Sequence, residues 1–356
     1  MQSIHQFVAG FSKGDAITNE ALVIREIFRS WGYRSDIFSE TKRILPELRK
    51  HARDISEYVP ESESDIVLLH LSIGSPINDI FAKLSCQKAL LYHNITPAHY
   101  FDAFEKRTAC LLAKGRTQAN KLANAASVNM ACSKYNATEL TEMGFKDAKV
   151  LPLLLDTANF SVPPDRKTIK RFDNTKTNIL FVGRCAPNKK LEDILRAFKY
   201  FQTIEPESRF IHAGSFVGTE RYYYMLLALA KEFGINNVHF MDSVSLPQLN
   251  AVYKCADIFL CMSEHEGFCI PVIESMYHNV PVMAYAAAAV PETMDGAGIL
   301  FHEKKFDMIA EMMGRLIKDT AFKNAVLKKQ QERINRFKQL DLETKLRQYL
   351  SPLLEA

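Results

Sequence analysis

The stretch that decides the fold is Phe181-Val182-Gly183-Arg184-Cys185-Ala186-Pro187-Asn188-Lys189-Lys190. A strand-like apolar run ends at Gly183, and a helical pattern begins at Leu191. Ligands of open α/β sheets bind where the strands end, and the loop at this point carries two cations, Arg184 and Lys189. A helix start attracts anions through its free amides and its dipole. The loop therefore predicts a diphosphate site, with a solvated basic loop as the alternative.

Strand-like and helical patterns alternate on both sides of this loop, as in parallel sheets that helices cover on both faces. The apolar runs are Ser3–Ala9, Asp65–His70, Lys88–His93 and Ser127–Cys132 in the first half, and Asn178–Val182, Ser208–His212 and Asn237–Met241 in the second. Between the halves, residues 159–177 are polar, contain two adjacent prolines and lack periodicity, which indicates a linker. The sequence therefore predicts an α/β protein with two doubly wound domains, residues 1–158 and 178–335. A single sheet with one long loop is the alternative, although such loops are uncommon inside compact domains.

The composition limits the class of protein. The chain has 356 residues and a net charge of +4 with both signs interspersed, so we expect no nucleic-acid partner. Its seven cysteines include no Cys-x-x-Cys pair, which favours buried thiols in a reducing compartment. The N-terminus shows no leader-like pattern, and no apolar run reaches about 18 residues. We therefore expect a cytoplasmic protein.

Two carboxylates occur in the stretch Ser263-Glu264-His265-Glu266-Gly267-Phe268-Cys269-Ile270-Pro271-Val272-Ile273-Glu274. Glu266 lies in a loop after an apolar strand, and Glu274 lies about one turn into the helix that Pro271 begins. Both can point into one crevice, where carboxylates accept hydrogen bonds from sugar and ribose hydroxyls. The loop amides that face the same place are those of Gly267, Phe268, Cys269 and Ile270. The alternatives are a dipole-stabilising role for Glu274 and a plain turn at Glu266.

A further strand, turn and helix start follow in the second half. The segments are Val280-Pro281-Val282, Val290-Pro291-Glu292 and Gly296-Ala297-Gly298-Ile299-Leu300-Phe301. Glu292 is either a site residue or a helix cap.

These elements together resemble the C-terminal domain of the family-4-type retaining glycosyltransferases of the GT-B fold (glycosyl transferases group 1). The Gly-Arg…Lys loop, the Glu-x7-Glu motif, the Pro-Glu pair and the Gly-x-x-Phe pattern of that family all have counterparts here. The match is good over residues 178–301 and loose in the first half. The resemblance implies two Rossmann-like domains that face an interdomain cleft, with the C-terminal helix 336–356 joined to the first domain.

The resemblance also implies roles for residues. Arg184 and Lys189 would bind the donor pyrophosphate, Glu274 the ribose, and Glu266 the transferred sugar near its 3-hydroxyl. The chain departs from the family where Cys269 and Asp242 replace glycines and where residues 286–289 are all alanine. These departures affect the expected identity of the sugar more than the expected reaction.

The implied reaction is retaining transfer of a mannose- or glucose-type hexose from a nucleotide-diphosphate sugar to a glycan or lipid-linked acceptor. The leaving diphosphate would be neutralised by arginine and lysine, and the chain has no Asp-x-Asp motif. We therefore expect neither a metal nor another cofactor. A GT-B phosphorylase, a nucleotide-sugar epimerase and a catalytically inactive GT-B module that binds a nucleotide sugar or a partner are the alternatives.

The first half contributes two candidate residues. Gly14 follows the first strand-like run and would let the backbone approach the donor or the acceptor, with a simple turn as the alternative. His93 ends a strand-like run and resembles the family's strand-end histidine, which contacts the transferred sugar. A structural histidine is the alternative. With Glu266, Arg184 and Lys189, His93 completes the expected catalytic set.

The stretch from Thr41 to Asp54 raises the hypothesis that the protein makes a weak peripheral contact with the inner, cytoplasmic face of an anionic membrane. Between Thr41 and Asp54, five basic residues punctuate three apolar ones, which gives the stretch some amphipathic character. A solvated helix face is the alternative, and the pattern favours it.

Overall fold

The computed structural model describes residues 2–355, which form two α/β units. The first unit contains the chain up to His99, Lys106–Asp156 and the chain from Asp341 onward. The second unit contains Tyr100–Glu105 and Thr157–Leu340. The structure thus divides the chain close to the predicted linker, but it assigns a short segment of the first half to the second unit.

The first unit is built on a parallel sheet. Its elements are β1 (Ile4–Val8), α1 (Ala16–Ser30), β2 (Ile37–Ser39), β3 (Arg53–Asp54), β4 (Ile66–Leu71), α2 (Pro76–Lys83), β5 (Gln87–Tyr92), α3 (Lys106–Leu122), β6 (Val128–Ala131), α4 (Lys134–Glu142) and β7 (Lys149–Val150). The seven strands pair in the order β3-β2-β1-β4-β5-β6-β7. β4 is buried along its whole length, as expected for a central strand with helices on both faces.

The second unit repeats this plan. Its elements are α5 (Arg166–Phe172), β8 (Thr177–Val182), α6 (Leu191–Ile204), β9 (Ser208–Ala213), α7 (Glu220–Glu232), β10 (Val238–Met241), α8 (Leu246–Cys255), β11 (Ile258–Cys261), α9 (Ile270–Tyr277), β12 (Val282–Tyr285), α10 (Val290–Met294), β13 (Ile299–Phe301), α11 (Phe306–Lys318) and α12 (Thr320–Lys338). The six strands are parallel, in the order β10-β9-β8-β11-β12-β13. The strand order reverses between β8 and β11, and ligands of open α/β sheets bind at such a switch point.

The segment 159–177 is more ordered than a linker. It contains α5, whose N-terminus is capped by Asp165, with the Asp165 carboxylate accepting from the Thr168 amide at 2.7 Å. The amide of Asp165 also donates to Pro247 O at 2.8 Å, so the segment is held on α8. Periodicity did not reveal this helix because two turns are too short to show it.

The last helix, α13 (Leu342–Leu354), belongs to the first unit, where Leu346, Leu350 and Leu353 lie in its apolar core. The boundary falls after Leu340, so residues 336–340 stay with the second unit.

The helices among residues 2–355 are all too short or too polar to cross a membrane. The stretch from Thr41 to Asp54 does not form one amphipathic helix. It forms two short 3₁₀ turns, Thr41–Arg43 and Pro46–Leu48, followed by β3. The interpretation as a helix face is therefore wrong, because the proline interrupts the run and Asp54 continues into the sheet edge.

Candidate active site

Gly183 directly follows β8, at a point where the ends of β8 and β9 come very close. Its amide donates to Ala213 O at 3.0 Å, and its carbonyl oxygen accepts from His212 Nε2 at 2.9 Å. Gly214, with φ +155°, is required here because a Cβ atom on it would lie 2.0 Å from Gly183 O. Burial lowers the pKa of His212 to about 4, so this histidine is neutral at pH 7. The beginning of the basic loop is therefore held by its main chain and by a neutral donor.

Arg184 follows at once and is exposed to solvent. Its Nη2 donates to Val217 O at 3.1 Å, in the loop before α7. Gly218 in the same loop leaves room for the guanidinium, since a Cβ atom there would lie 3.2 Å from Nη2. The structure thus orients one edge of the arginine on the main chain of a neighbouring loop.

Lys189 and Glu266 form an ion pair between the two predicted loops, with Nζ and Oε2 separated by 2.6 Å. Burial is the largest single influence and acts to lower the pKa of Lys189, but the charge of Glu266, the hydrogen bond to it and the neighbouring thiols of Cys269 and Cys261 together outweigh burial, and the pKa stands above its ordinary value. The loops are also joined by their main chains. Asn188 Nδ2 donates to His265 O at 3.0 Å, and the Glu264 amide donates to Asn188 O at 2.9 Å. The structure therefore brings together a cation and a carboxylate that stand 77 residues apart.

The loop that carries Glu266 has a left-handed residue immediately before α9. Cys269 has φ +72° and caps the helix, and Ile270 and Pro271 form its first turn. This backbone conformation explains why glycine is the expected residue at Cys269. The main chain is tied down on both sides, since Ala289 N donates to Glu266 O at 3.3 Å and the Thr293 hydroxyl donates to Phe268 O.

A similar left-handed residue lies in the alanine run, where Ala288 has φ +50°. Glu292 follows in the first turn of α10, and it has interaction partners in this structure.

Glu274 lies on α9 and is held by a residue that the sequence did not single out. Its Oε2 accepts from the Tyr253 hydroxyl of α8 at 2.7 Å. Burial raises the pKa of Glu274, and the hydrogen bond from Tyr253 acts in the opposite direction. The Tyr253 ring in turn stacks on His278, with ring centroids 5.1 Å apart. The pairing of Tyr253 with Glu274 could not be inferred from the sequence because the two residues lie on different helices.

A second ionic group borders the basic loop. Lys304 Nζ lies 2.7 Å from both Asp193 Oδ2 and Glu264 Oε1, and Lys190 Nζ lies 3.5 Å from Glu264 Oε2. Lys304 follows the Gly-x-x-Phe pattern by three residues, and no spacing rule connects it with Glu264.

Three residues that could bind a metal ion, two cysteines and a glutamate, meet beside the ion pair. The ligand atoms of Cys261, Glu266 and Cys269 lie within 4.8 Å of one another. Lys189 places its ammonium 2.6 Å from the same carboxylate, and this positive charge opposes a second cation. Cys269 is therefore best interpreted as a buried thiol that packs on Cys261.

In the first unit, His93 directly follows β5, but its ring does not face outward. The side chain is 4% exposed, while the residue as a whole is partly exposed, so the exposed part is mainly main chain. Nε2 lies 2.9 Å from His70 Nδ1, and Nδ1 lies 3.5 Å from Glu20 Oε2. Contact of the imidazole with a sugar therefore stays a prediction, and in this conformation both ring nitrogens face protein groups.

Gly14 occupies a turn before α1 with φ +72°, and a Cβ atom there would meet no atom within 4 Å. The left-handed backbone conformation explains why this position is a glycine. Contact of Gly14 with a ligand stays a prediction. Asp15 next to it caps α1 by accepting from the Thr18 amide at 2.9 Å.

Comparison with known proteins places these loops in a family. Residues 164–338 match the family described as glycosyl transferases group 1, and both the ion pair and the Glu274 hydrogen bond lie within that range. Residues 164–338 form a domain of the glycosyl transferases group 1 family. The group 1 domain of this chain thus covers nearly all of the second unit.

Curated relatives support the same assignment. The chain is 24% identical over 146 residues to the O-antigen chain mannosyltransferase B of Escherichia coli, which covers 40% of this chain and 38% of the relative. It is 32% identical over 134 residues to the D-inositol 3-phosphate glycosyltransferase of Mycobacterium sp. strain KMS, which covers 36% of this chain and 30% of the relative. The matched parts thus span about a third of the length of these relatives.

The fold is shared more widely than the sequence. The structure of HepE from Anabaena, in complex with UDP and glucose, covers 100% of both chains with a TM-score of 0.76 at 16% identity. The chain therefore has the GT-B fold, as the motifs of the second half predicted.

Proposed function

We propose that this protein is a glycosyltransferase that takes a hexose of the mannose or glucose type from a nucleotide-diphosphate sugar and passes it to a hydroxyl of a glycan or lipid-linked acceptor. The observation that carries the proposal is the Lys189–Glu266 ion pair at 2.6 Å, which joins a basic loop to a carboxylate loop at the switch point of a group 1 domain. The named relatives include a mannosyltransferase, and HepE was solved with UDP and glucose.

The two basic residues serve the leaving group. Arg184 is exposed beside the end of β8, and Lys189 carries a positive charge near the same strand end. As the bond between the sugar and the diphosphate breaks, negative charge develops on the diphosphate oxygens, and fixed cations stabilise that charge most strongly in the transition state. We therefore assign both residues to the diphosphate, with no metal ion needed.

The carboxylates serve the groups at the two ends of the donor. Glu266 binds a hydroxyl of the sugar, and Glu274 binds the ribose. The amides of Gly267, Phe268, Cys269 and Ile270 surround the same loop end. His93 and Gly14 of the first unit are assigned to the sugar side of the donor, where the main chain of His93 is the exposed part.

The proposed reaction keeps the configuration of the anomeric carbon. The bond from this carbon to the diphosphate oxygen breaks, and the acceptor oxygen bonds to the same face. The proton of the acceptor hydroxyl passes to the departing phosphate oxygen. No side chain is assigned as the base.

A transfer assay tests the proposal. The full chain is incubated with UDP- and GDP-linked glucose and mannose, with and without simple glycan acceptors, and the product anomer is determined by NMR. Consumption of one donor with an axial product from an axial donor supports retaining transfer. Thermal stabilisation by a donor that is never consumed would instead identify an inactive nucleotide-sugar-binding module. A chelator in the same assay tests the metal assignment, and loss of activity that Mg²⁺ restores would overturn it.

A further inference from the structure

A chain of four buried polar side chains crosses the first unit beneath the end of β5. It runs from Gln6 on β1 through His70 on β4 and His93 after β5 to Glu20 on α1. The residues Gln6, Glu20 and His70 are each at most 1% exposed, and the side chain of His93 is 4% exposed. Buried polar groups require hydrogen-bond partners, so the direction of each bond in this chain can be worked out.

The direction is set at Gln6. Its Nε2 lies 3.0 Å from the carbonyl oxygen of Ala21, which can only accept. The other amide atom, Oε1, therefore faces His70 Nε2 at 2.9 Å and acts as the acceptor. His70 must donate from Nε2.

His93 is oriented by its bond to His70. A neutral histidine that donates from Nε2 has a lone pair on Nδ1. His70 Nδ1 lies 2.9 Å from His93 Nε2, so His93 donates from Nε2 and likewise carries a lone pair on Nδ1. The group that faces this lone pair is Glu20 Oε2 at 3.5 Å, which is too long for a hydrogen bond. An ionised carboxylate there would set negative charge against the lone pair, so the geometry favours a neutral Glu20. Glu20 Oε1 already accepts from the Leu154 amide at 3.0 Å, as a neutral carboxyl does through its carbonyl oxygen.

We propose that Gln6 is a positioning residue for His93: a hydrogen-bond chain polarised from His93 Nε2 through His70 to the amide oxygen of Gln6 holds His93 as the Nε2–H tautomer, with the carboxyl of Glu20 facing its other ring nitrogen. The bearing of this chain on sugar transfer rests on the proposed function, whereas the chain itself does not. Burial acts on the ionisable members in the same sense. It lowers the pKa of His70 to about 3, lowers the pKa of His93 well below its usual range, and raises the pKa of Glu20 to about 8.

The polarity defines what the end of β5 offers to a ligand. The ring is neutral and buried, so it contributes no positive charge to a donor diphosphate. Asn94 next to it has φ +91° and is fixed by bonds from its Nδ2 to Asn136 Oδ1 and Glu139 Oε2, both 2.8 Å long.

The tautomer is measured by NMR of the full chain labelled with ¹⁵N-histidine, since the two ring nitrogens of a neutral histidine have different shifts. We expect His70 and His93 as Nε2–H tautomers between pH 6 and 8. A cationic His93 or an Nδ1–H tautomer of His93 would overturn the proposal.

Three variants separate positioning from plain stability. Glu20→Gln keeps a donor toward Nδ1 and an acceptor toward Leu154, so we expect both tautomers to be unchanged. If Glu20 were instead ionised and accepted a hydrogen bond from an Nδ1–H group of His93, this variant would change the tautomer of His93. Gln6→Met removes the acceptor that sets the direction, so a second tautomer of His93 should appear. Gln118→Met, a buried glutamine bonded to Ser75, should leave the histidine signals as they are. An unchanged spectrum in Gln6→Met would contradict the proposal.

A kinetic comparison links the chain to transfer. With equal amounts of folded protein, we expect kcat/KM to fall by about tenfold in Gln6→Met. A decrease of this size corresponds to the loss of one hydrogen bond that orients His93. Glu20→Gln and Gln118→Met should stay within about twofold of the parent chain. Because the NMR experiment needs no substrate, failure to find any transfer would count against the proposed function and leave the test of the tautomer intact.

Discussion

The hydroxyl of Tyr253 on α8 donates to Glu274 Oε2 on α9 at 2.7 Å, so two neighbouring helices of the second unit share one partly buried hydrogen bond. Tyr253 is 1% exposed, and its pKa is raised well above the ordinary value by burial and then by the neighbouring glutamate. The pair holds the carboxylate that we assign to the ribose. A carboxylate held in this way binds diols without having to order its own side chain.

The first prediction concerns this pair. Tyr253→Phe leaves a partly buried carboxylate without its donor, so the free energy of unfolding should fall by about 1–3 kcal/mol. The affinity for nucleoside diphosphate should also fall several-fold, because Glu274 loses its orientation. Urea unfolding and calorimetry measure the two effects. Tyr224→Phe on exposed Tyr224 is the matched control and should change neither. If Tyr253→Phe bound nucleoside diphosphate with unaltered affinity, the assignment of Glu274 to the ribose would be wrong.

The second prediction concerns the exposed arginine after β8. Arg184→Ala removes a charge-assisted contact to diphosphate, worth about 1.5–3 kcal/mol. The dissociation constant for nucleoside diphosphate should therefore rise by roughly tenfold to a hundredfold or somewhat more. Arg221→Ala, which removes an exposed arginine of α7, controls for net charge. Equal affinities in the two variants would show that Arg184 does not bind the diphosphate.

The third prediction concerns the carboxylate paired with Lys189. Glu266→Gln neutralises the partner of Lys189 and leaves the cation for the diphosphate, so nucleoside diphosphate should bind as before or more tightly. The transfer rate should fall by at least about tenfold, because a contact that strengthens in the transition state is lost. Calorimetry and a transfer assay give the two results. Glu232→Gln, at an exposed position of α7, is the control.

Glu274→Gln provides the contrast, since it should weaken the nucleotide itself. If Glu266→Gln weakened nucleotide binding as much as Arg184→Ala, or kept full transfer activity, the assignment of Glu266 to the sugar would be wrong.

The fourth prediction is a pH dependence of stability. Glu20 has a pKa of about 8 in the folded chain against 4.5 for the free side chain, because it is buried. Between these values the folded chain holds a proton that the unfolded chain has released, so this residue's contribution to stability is present below the lower pKa and is lost as the pH rises toward the upper one. The loss amounts to about 5 kcal/mol at most.

Glu20→Gln cannot lose this proton. Relative to the parent chain, the variant should gain a few kcal/mol in free energy of unfolding between pH 5 and pH 8. Urea titrations at several pH values measure the gain. Glu26→Gln on the exposed face of α1 should show no such trend. A flat difference across the pH range would mean that Glu20 is ionised in the folded chain.

Sequence reasoning was most successful for features that are specified by residues close together along the chain. The alternation of strand and helix predicted two parallel sheets, because strands buried on both faces are apolar along their length and the covering helices are amphipathic. The loops after β8 and β11 were located for the same reason, since Gly183, Arg184 and Glu266 stand at recognisable strand ends. Cys269 and the alanine run 286–289 were identified as departures from the family, and the structure places Cys269 and Ala288 of that run in left-handed backbone conformations.

Prediction from local sequence patterns failed where an element is short or where the role of a residue depends on a partner far away along the chain. The pattern predicted a linker where the two-turn helix α5 lies, and an amphipathic stretch where the proline-interrupted turns near Thr41 lie. The amino-acid sequence by itself determined the sheet plan and the positions of the basic and acidic loops. The tertiary structure decided the pairing of Lys189 with Glu266, of Tyr253 with Glu274, and of His93 with His70 and Glu20. The residues of these pairs stand between 21 and 77 positions apart along the chain, on different elements of the fold. Hydrogen bonds and ion pairs depend on distances between atoms, and the spacing of residues along the chain does not specify those distances.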